Sequence, residues 1–205
     1  EPLVQKFIEN PQIGALSPKI RYYYHKEIIQ YAGFTEINKW TIRNKTIGNN
    51  EIDRGQYNED KETAYAHGAA MMVPMKVVKE LGMMSYEFFL YYEEVDWCTR
   101  IKKASYKIYY VSNSLVYHKG SVTTGKDSTL KTHYLARNRL VYMRRNIFGF
   151  TFFIALLYQL FIGSWKNGII LLLKGKGKMA MAYWKGIYWN VKNIFNQEIH
   201  NNPRL

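Results

Sequence analysis

Residues 85–121 read SYEFFLYYEEVDWCTRIKKASYKIYYVSNSLVYHKGS, and this stretch is the most informative part of the chain. An aromatic run leads directly into three carboxylates, Glu93, Glu94 and Asp96, which are followed by apolar residues at helical spacing. The alternating residues that come next predict a strand, a turn and a second strand ending at His118. The stretch therefore predicts an α/β fold in which the carboxylates lie at the beginning of a helix.

The segments before and after this stretch extend the same α/β pattern. A short amphipathic helix should stop near Asn10, and the following apolar segment should be a buried strand interrupted at Pro18. Residues 38–63 are polar and lack periodicity, which predicts a long loop, whereas the small apolar residues of 65–73 predict a central strand. A helix bracketed by a proline and a glycine comes next, and another helical pattern begins at about residue 128.

The C-terminal third is apolar and basic, and it suggests contact with a membrane. Residues 147–165 contain no charged side chain, and this length is just enough to cross a bilayer core of roughly 30 Å. Cations flank the run, and an aromatic basic segment follows it, as is typical of a lipid head-group boundary. The alternatives are a spanning helix, a helix lying in the membrane surface and a buried core helix; the absence of a polar face argues against the last of these.

Composition narrows the classes of function. The net charge of +13 attracts anions, which include nucleic acids, acidic lipids and phosphorylated substrates. No nucleic-acid recognition motif accompanies the charge, so nucleic-acid binding is not expected. Cys98 is the only cysteine, which excludes an internal disulfide and a cysteine-rich zinc site and fits a reducing, cytoplasmic compartment.

Two interpretations of the three carboxylates follow from the residues alone. Free N–H groups and the helix dipole at a helix N-terminus favour the ionised form, which would suit a general base acting on a hydroxyl. Alternatively, the acids only stabilise the helix, with Asp96 and Arg100 forming an i,i+4 pair on its surface.

The order of several motifs resembles the inverting family 2 glycosyltransferases of GT-A fold, such as bacterial rhamnosyltransferases. The resemblance covers roughly residues 1–146. In chain order, the motifs that carry it are NPQIGALSPKI (10–20), HGAAMMV (67–73), FFLYYEEVDWCTR (88–100), YKIYYV (106–111), YHKGS (117–121) and YLARNRL (134–140). The fold class that this implies is α/β, a partial GT-A domain with a Rossmann-like mixed sheet, followed by membrane-associated helices.

The resemblance also implies roles for particular residues. The family's Glu-Asp pair falls on Glu93 and Glu94, and the second position is the catalytic base; here it is a glutamate instead of an aspartate. Glu93, Glu94 and Asp96 are thus the candidate catalytic residues. His118 is the candidate ligand of a divalent cation, Mg²⁺ or Mn²⁺, that neutralises the leaving diphosphate. The candidate substrate-binding residues are Gly68, Ala69, Arg43, Arg137 and Asn138.

No Asp-x-Asp motif occurs in this sequence, although the family carries one in its nucleotide-binding half. We therefore expect residues 1–146 to be the acceptor-side part of the domain, without its donor-binding half and inactive alone, and residues 147–205 to be a membrane-associated helical segment. The expected partners are a nucleotide-sugar donor, a glycan or lipid-linked acceptor and the cytoplasmic face of a bacterial inner membrane. The alternative is a non-catalytic module that binds a membrane surface.

Overall fold

The computed structural model describes residues 2–120 and 128–193. Its strands form one mixed sheet: β1 (Ile13–Tyr22), β2 (Ile29–Tyr31), β3 (Lys61–Glu62) and β4 (Lys107–His118). The order is β2-β1-β4-β3, with β1 and β4 parallel at the centre and the two short strands antiparallel at the edges. The prediction of an α/β fold is confirmed.

The helices lie before, between and after these strands. They are α1 (Pro2–Glu9), α2 (Met75–Leu81), α3 (Glu93–Lys103), α4 (Thr129–Asn146), α5 (Gly149–Leu157), α6 (Ser164–Leu173) and α7 (Gly177–Lys192), with a π-helical turn, Tyr158–Gly163, joining α5 to α6. The predicted end of α1 near Asn10, the position of α2 between Pro74 and Gly82, and the start of α4 near residue 128 are confirmed. Ser128 caps α4 because its hydroxyl accepts a hydrogen bond from the Lys131 N–H at 3.3 Å.

Each of the two central strands differs from the prediction. β1 continues through Pro18, and β4 is a single strand instead of a strand, a turn and a strand. Pro18 pairs with Val111 and Lys19 pairs with Leu115, so residues 112–114 bulge out of the ladder. A proline has no N–H to donate, and the bulge accommodates it without ending either strand.

The predicted central strand over residues 65–73 is wrong. The segment makes a tight turn at Gly68 and Ala69, closed by a bridge between His67 and Ala70, and it meets the sheet through one bridge between Met72 and Leu16. The hydroxyl of Ser17 explains the difference, since it accepts from the His67 N–H at 3.0 Å and donates to the Ala70 carbonyl at 2.5 Å. A side chain thus satisfies backbone groups that a strand ladder would otherwise bind.

The segment from α5 to α6 is one continuous helix, Gly149–Leu173, and it is long and apolar enough to cross a membrane. One face consists of small residues and carries two polar side chains, Gln159 and Ser164, whereas the prediction was that no polar residue would share a face. The residues on that face are buried against the rest of the protein and are Ala155, Gln159, Gly163, Ser164 and Gly168. The opposite face exposes large apolar side chains, among them Phe150, Phe153, Phe161 and Trp165.

Helix α7 returns along α4, so the segment after residue 146 packs against the part of the chain before it. The two helices approach closely at Gly186, where a Cβ atom would lie 2.5 Å from the His133 carbonyl oxygen. On another side of α4, Asn138 and the Arg145 side chain are buried against α3 and the loop before it.

Candidate active site

The three predicted catalytic carboxylates follow a loop with an unusual backbone. Phe89, Tyr91 and Tyr92 all have positive φ angles, 58°, 66° and 73°, in a region that bulky residues rarely adopt. Tyr92 is the residue before α3, and Glu93 and Glu94 form the first turn of that helix. A backbone held in this conformation must be fixed by its surroundings, and such strain is concentrated at functional sites.

Asn138 on α4 fixes this loop. Its amide nitrogen donates to the carbonyl oxygens of Phe88, Leu90 and Tyr91 at 2.7, 2.7 and 2.8 Å, and the side chain is fully buried. The sequence predicted a substrate-binding role for Asn138. A buried amide that bonds to the loop cannot contact substrate directly, so its role in the structure is to position the carboxylates.

Arg137 holds the same loop from the neighbouring position. Its guanidinium donates to the Glu87 carbonyl at 2.7 Å and to the Asn138 amide oxygen at 2.6 Å, which orients that amide toward the loop. It also lies 3.9 Å from the ring centre of Trp189 on α7. Arg137, predicted to bind substrate, connects the C-terminal helix to the loop before Glu93.

Glu94 has the environment of a proton acceptor. Its Oε2 atom is buried and has no hydrogen-bond partner among the described residues. Burial and, to a lesser extent, the neighbouring Glu93 raise the pKa of the Glu94 carboxyl to about 7, although N–H groups at the helix start oppose the shift. The prediction that the helix N-terminus would dominate is therefore wrong in direction, because desolvation outweighs it.

Gly68 opens one side of Glu94. A Cβ atom at Gly68 would lie 3.5 Å from Cγ and Cδ of Glu94, so the glycine backbone lies directly against the carboxyl group. Gly68 and Ala69 are both exposed, and the Ala69 N–H donates to Nδ1 of His67 at 3.0 Å. The structure thus brings together the predicted base and two predicted substrate-binding residues at one surface turn.

Asp96 lies one turn further along α3 and is fully buried. Its carboxylate accepts from Asn146 at 2.8 Å and forms ion pairs with Arg145 at 3.3 Å and Arg100 at 3.4 Å. The i,i+4 pair with Arg100 is as predicted, but it is buried and not on the helix surface. Both carboxylate oxygens are engaged, so the geometry gives Asp96 a structural role instead of the predicted catalytic one.

His118 is the last residue of β4, and its ring centre lies 6.2 Å from that of His67. Its Nδ1 lies 3.0 Å from the Gln30 amide oxygen and donates to it, which leaves the Nε2 lone pair for another partner. Burial lowers the pKa of His118, and the neutral ring is the form that binds metals. His118 fits as one ligand, but residues 2–120 and 128–193 contain no group of three potential ligands.

Arg43 does not join the carboxylates. It comes from the polar loop and donates to the Asn167 side chain on α6 at 2.9 Å, which places it beside the C-terminal helix.

The sequence analysis assigned no role to two further residues, His67 and Gln159. His67 stacks on Phe34 beside the Gly68 turn, and burial together with His118 lowers its pKa to about 4, so its ring is neutral at pH 7. Gln159 joins the apolar helix to the polar loop by donating to the Trp40 and Thr41 carbonyls at 3.1 and 2.9 Å. A single glutamine within an uncharged apolar run is the signal that could have identified it.

Asn138→Ala should lower the free energy of unfolding by at least about 2 kcal/mol, because three carbonyls in a strained loop lose their donor. Urea unfolding of the full chain measures the change. The matched control is Asn113→Ala on β4, an exposed asparagine, for which a change below about 0.5 kcal/mol is expected. Equal effects of the two substitutions would show that Asn138 does not hold the loop.

Comparison with known proteins gives one local similarity. No protein-family model matches the chain. Over 54 residues the chain is 33% identical to the low-salt glycan biosynthesis hexosyltransferase Agl10 of Haloferax volcanii, which is 26% of this chain and 18% of that protein. The chain thus spans less than a fifth of the relative's length. The similarity is to a glycosyltransferase and is confined to about a quarter of the chain.

Proposed function

We propose that this chain is the acceptor-side part of a membrane-associated inverting glycosyltransferase of family 2 and GT-A fold. The observation that carries the proposal is Glu94, a buried carboxyl group with a pKa near 7 against an exposed glycine turn. The local similarity to a hexosyltransferase and the parallel β1–β4 pair beside the site support it. The donor is a nucleotide-diphosphate sugar, and the acceptor is a glycan or lipid-linked hydroxyl.

The proposed reaction is a single displacement. The Glu94 carboxylate takes the proton of the acceptor hydroxyl, and the acceptor oxygen forms a bond to the anomeric carbon of the sugar. The bond from that carbon to the phosphate oxygen breaks, and the nucleoside diphosphate leaves with the electron pair. Attack from the face opposite the leaving group inverts the anomeric configuration. A pKa near 7 makes Glu94 a stronger base than an ordinary glutamate while half of it remains ionised at neutral pH.

A divalent cation, Mg²⁺ or Mn²⁺, completes the proposal, with His118 as its ligand in this chain. The cation would neutralise charge on the leaving diphosphate. The free Nε2 of a neutral His118 supports this assignment, and the remaining ligands lie outside the residues described.

We expect kcat/KM to rise with pH below about 7 and to level off above it, because only ionised Glu94 accepts a proton. Glu93→Gln removes a neighbouring negative charge that raises the pKa of Glu94, so the midpoint of this profile should move to lower pH. Initial rates of the full-length gene product across pH 5 to 9 measure both profiles. A midpoint that stays in place after the substitution would contradict the assignment of Glu94.

The membrane part of the proposal places the protein at the cytoplasmic face of the membrane, with the exposed side of Gly149–Leu173 in contact with lipid. That side carries exposed phenylalanines, and the sequence from residue 128 to residue 197 contains no Asp or Glu. An apolar face in basic surroundings fits an anionic lipid surface. The buried Gln159 anchors the opposite side to the protein body, which favours a helix lying in the surface over one that spans.

The double substitution Phe150→Asp/Phe153→Asp should weaken binding to anionic vesicles at least tenfold, since each buried phenylalanine contributes about 1.5–3 kcal/mol. Co-sedimentation with phosphatidylglycerol vesicles measures the loss. The control is Ile52→Asp/Met75→Asp, which adds the same charge at two exposed apolar residues outside this helix. Equal losses in the two double variants would contradict a lipid-facing helix.

The second candidate function is a non-catalytic module that binds a membrane surface. The observation that favours it is the same exposed apolar face, which needs no catalytic residue. The two candidates differ in one expectation: only the transferase loses turnover when Glu94 is replaced.

A further inference from the structure

A small polar pocket lies where the long loop after β2 meets the π-helical turn between α5 and α6. It encloses about 110 Å³, enough for several waters or one phosphate-sized group. Its lining includes three cations, Arg43, Arg139 and Lys166, and contains no aspartate or glutamate. The concentration of positive charge in one pocket points to an anionic ligand.

Arg139 is the unusual member of this set. Four basic side chains of the described residues are buried, those of Lys19, Arg100, Arg139 and Arg145. Lys19 is ion-paired with Asp53, and Arg100 and Arg145 are ion-paired with Asp96. The contacts of Arg139 are instead neutral tyrosine hydroxyls, those of Tyr92 and Tyr183, and within residues 2–120 and 128–193 it forms no ion pair.

A buried guanidinium without a carboxylate is costly, and a second one nearby adds repulsion. The hydrogen bond from Arg43 to the uncharged Asn167 side chain does not neutralise the positive charge of Arg43. Arg43 and Arg139 carry like charges and line the same small pocket. Burial and, secondarily, the charge of Arg139 lower the pKa of Arg43, whereas contacts with Tyr92 and Tyr183 outweigh burial and raise the pKa of Arg139. An anion between them would relieve both the desolvation and the repulsion.

The pocket is built by its surroundings and is not a chance gathering of surface lysines. Gln159 ties the Thr41 carbonyl to the π-helical turn, and the Asn167 side chain donates to the Gly163 carbonyl at 2.5 Å while it accepts from Arg43. These contacts fix the loop and the helix in one arrangement around the cations. π-Helical turns within α-helices often occur at functional sites.

We propose that this pocket binds a phosphate group, with Arg43 and Lys166 at its mouth and Arg139 at its base. Phosphate suits the site because guanidinium groups bind its oxygens through paired hydrogen bonds, and the pocket supplies two such groups. The pocket opens beside the helix that we place on the lipid surface, so the phosphate belongs either to a lipid head group or to a soluble diphosphate.

A chain of contacts links the pocket to the loop before the proposed base. The Tyr92 hydroxyl lies 3.4 Å from Nε of Arg139 and donates to the Ile42 carbonyl at 2.8 Å, and Tyr92 immediately precedes Glu93. A phosphate held here would thus be next to the loop that positions the carboxylates. This link to catalysis rests on the proposed transferase function, whereas the binding of phosphate does not.

The test has two arms, both on the full chain. In the first, titration calorimetry in a nonionic detergent measures binding of inorganic pyrophosphate. In the second, co-sedimentation measures binding to vesicles of phosphatidylcholine with and without phosphatidic acid. Arg43→Gln/Lys166→Gln should weaken binding at least tenfold in one arm or both. The matched control is Arg54→Gln/Lys174→Gln, which removes the same charge from the same loop and helix outside the pocket, and it should weaken binding less than twofold.

Each outcome has a definite meaning. A selective loss in the pyrophosphate arm assigns a soluble diphosphate to the pocket, and a selective loss in the phosphatidic acid arm assigns a lipid phosphate. Equal weakening in the pocket and control variants would mean nonspecific attraction to a basic surface and would overturn the proposal, as would the absence of binding in both arms. Because no turnover is measured, failure here leaves the assignment of Glu94 standing.

Discussion

Glu94→Gln is expected to reduce kcat of the full-length gene product by two to four orders of magnitude, which is the usual contribution of a general base. Glutamine keeps the size of the side chain but cannot take the proton from the acceptor hydroxyl. The glutamine amide oxygen can still accept from the N–H groups at the helix start, and the amide nitrogen can take the place of the Oε2 atom, which has no partner among the described residues. The loss should therefore be in turnover and not in folding.

Stability measurements provide an independent check on this variant. A glutamate has an ordinary pKa of 4.5, and burial raises that of Glu94 to about 7. Because the pKa is higher in the folded state than in the unfolded state, the protonated carboxyl group favours folding at low pH. This contribution to stability is lost as the pH rises from about 4.5 to about 7. At pH 8, Glu94→Gln should thus be more stable than the wild type by up to about 3 kcal/mol.

The combination of lower turnover and higher stability at pH 8 distinguishes a catalytic carboxyl group from a capping one. If Glu94 only capped α3, its replacement would lower the free energy of unfolding and leave kcat within a few-fold of the wild type. Retained turnover would contradict the assignment of Glu94 as the general base and would favour the non-catalytic membrane module. Vesicle binding should be unchanged by Glu94→Gln under both hypotheses, which makes it the control for correct folding.

Local signals in the sequence were sufficient for several elements of the fold. Pro74 and Gly82 bracket α2 because proline fits just before a helix and glycine just after it, and Ser128 begins α4 because its hydroxyl caps the first turn. The order of motifs was sufficient to identify Glu94 as the candidate base. In each case the deciding interaction lies within a few residues of the chain.

The mistaken predictions depend on residues that are distant in sequence. The segment over 65–73 forms a turn because Ser17, about 50 positions away, binds its backbone. Asn138 is buried because it binds carbonyls of the loop before α3, again about 50 positions away. A polar residue on a helix predicts a solvated face unless a partner is known, and hydrophobic periodicity does not reveal the partner.

The shift in the pKa of Glu94 also depends on residues that are distant in sequence. The helix N-terminus, visible in the sequence, lowers the pKa through N–H groups. Burial, visible only in the structure, raises it by more. The sequence singled out Glu94 as the candidate base, whereas its protonation state at pH 7 depends on surroundings that the sequence does not show.

Asp96→Ala should lower the free energy of unfolding by about 3–5 kcal/mol, the usual effect of removing one partner of a buried ion pair. Asp96 is 1% exposed and compensates the charges of both Arg100 and Arg145, and its loss would leave two guanidinium groups buried together. Arg100 also donates to the Leu81 carbonyl at 2.5 Å, so its displacement would disturb the end of α2.

The matched control is Glu36→Gln, which breaks the exposed pair with Lys102 and should cost no more than about 1 kcal/mol. Urea unfolding of both variants measures the difference, and Asp96→Asn adds a second readout because it keeps the shape of the side chain. In the folded fraction of Asp96→Asn, kcat should stay within a few-fold of the wild type, since the carboxylate is bound on both oxygens. If Asp96→Asn instead kept its stability and lost turnover by orders of magnitude, Asp96 would be catalytic, as its position beside Glu94 in the sequence first suggested.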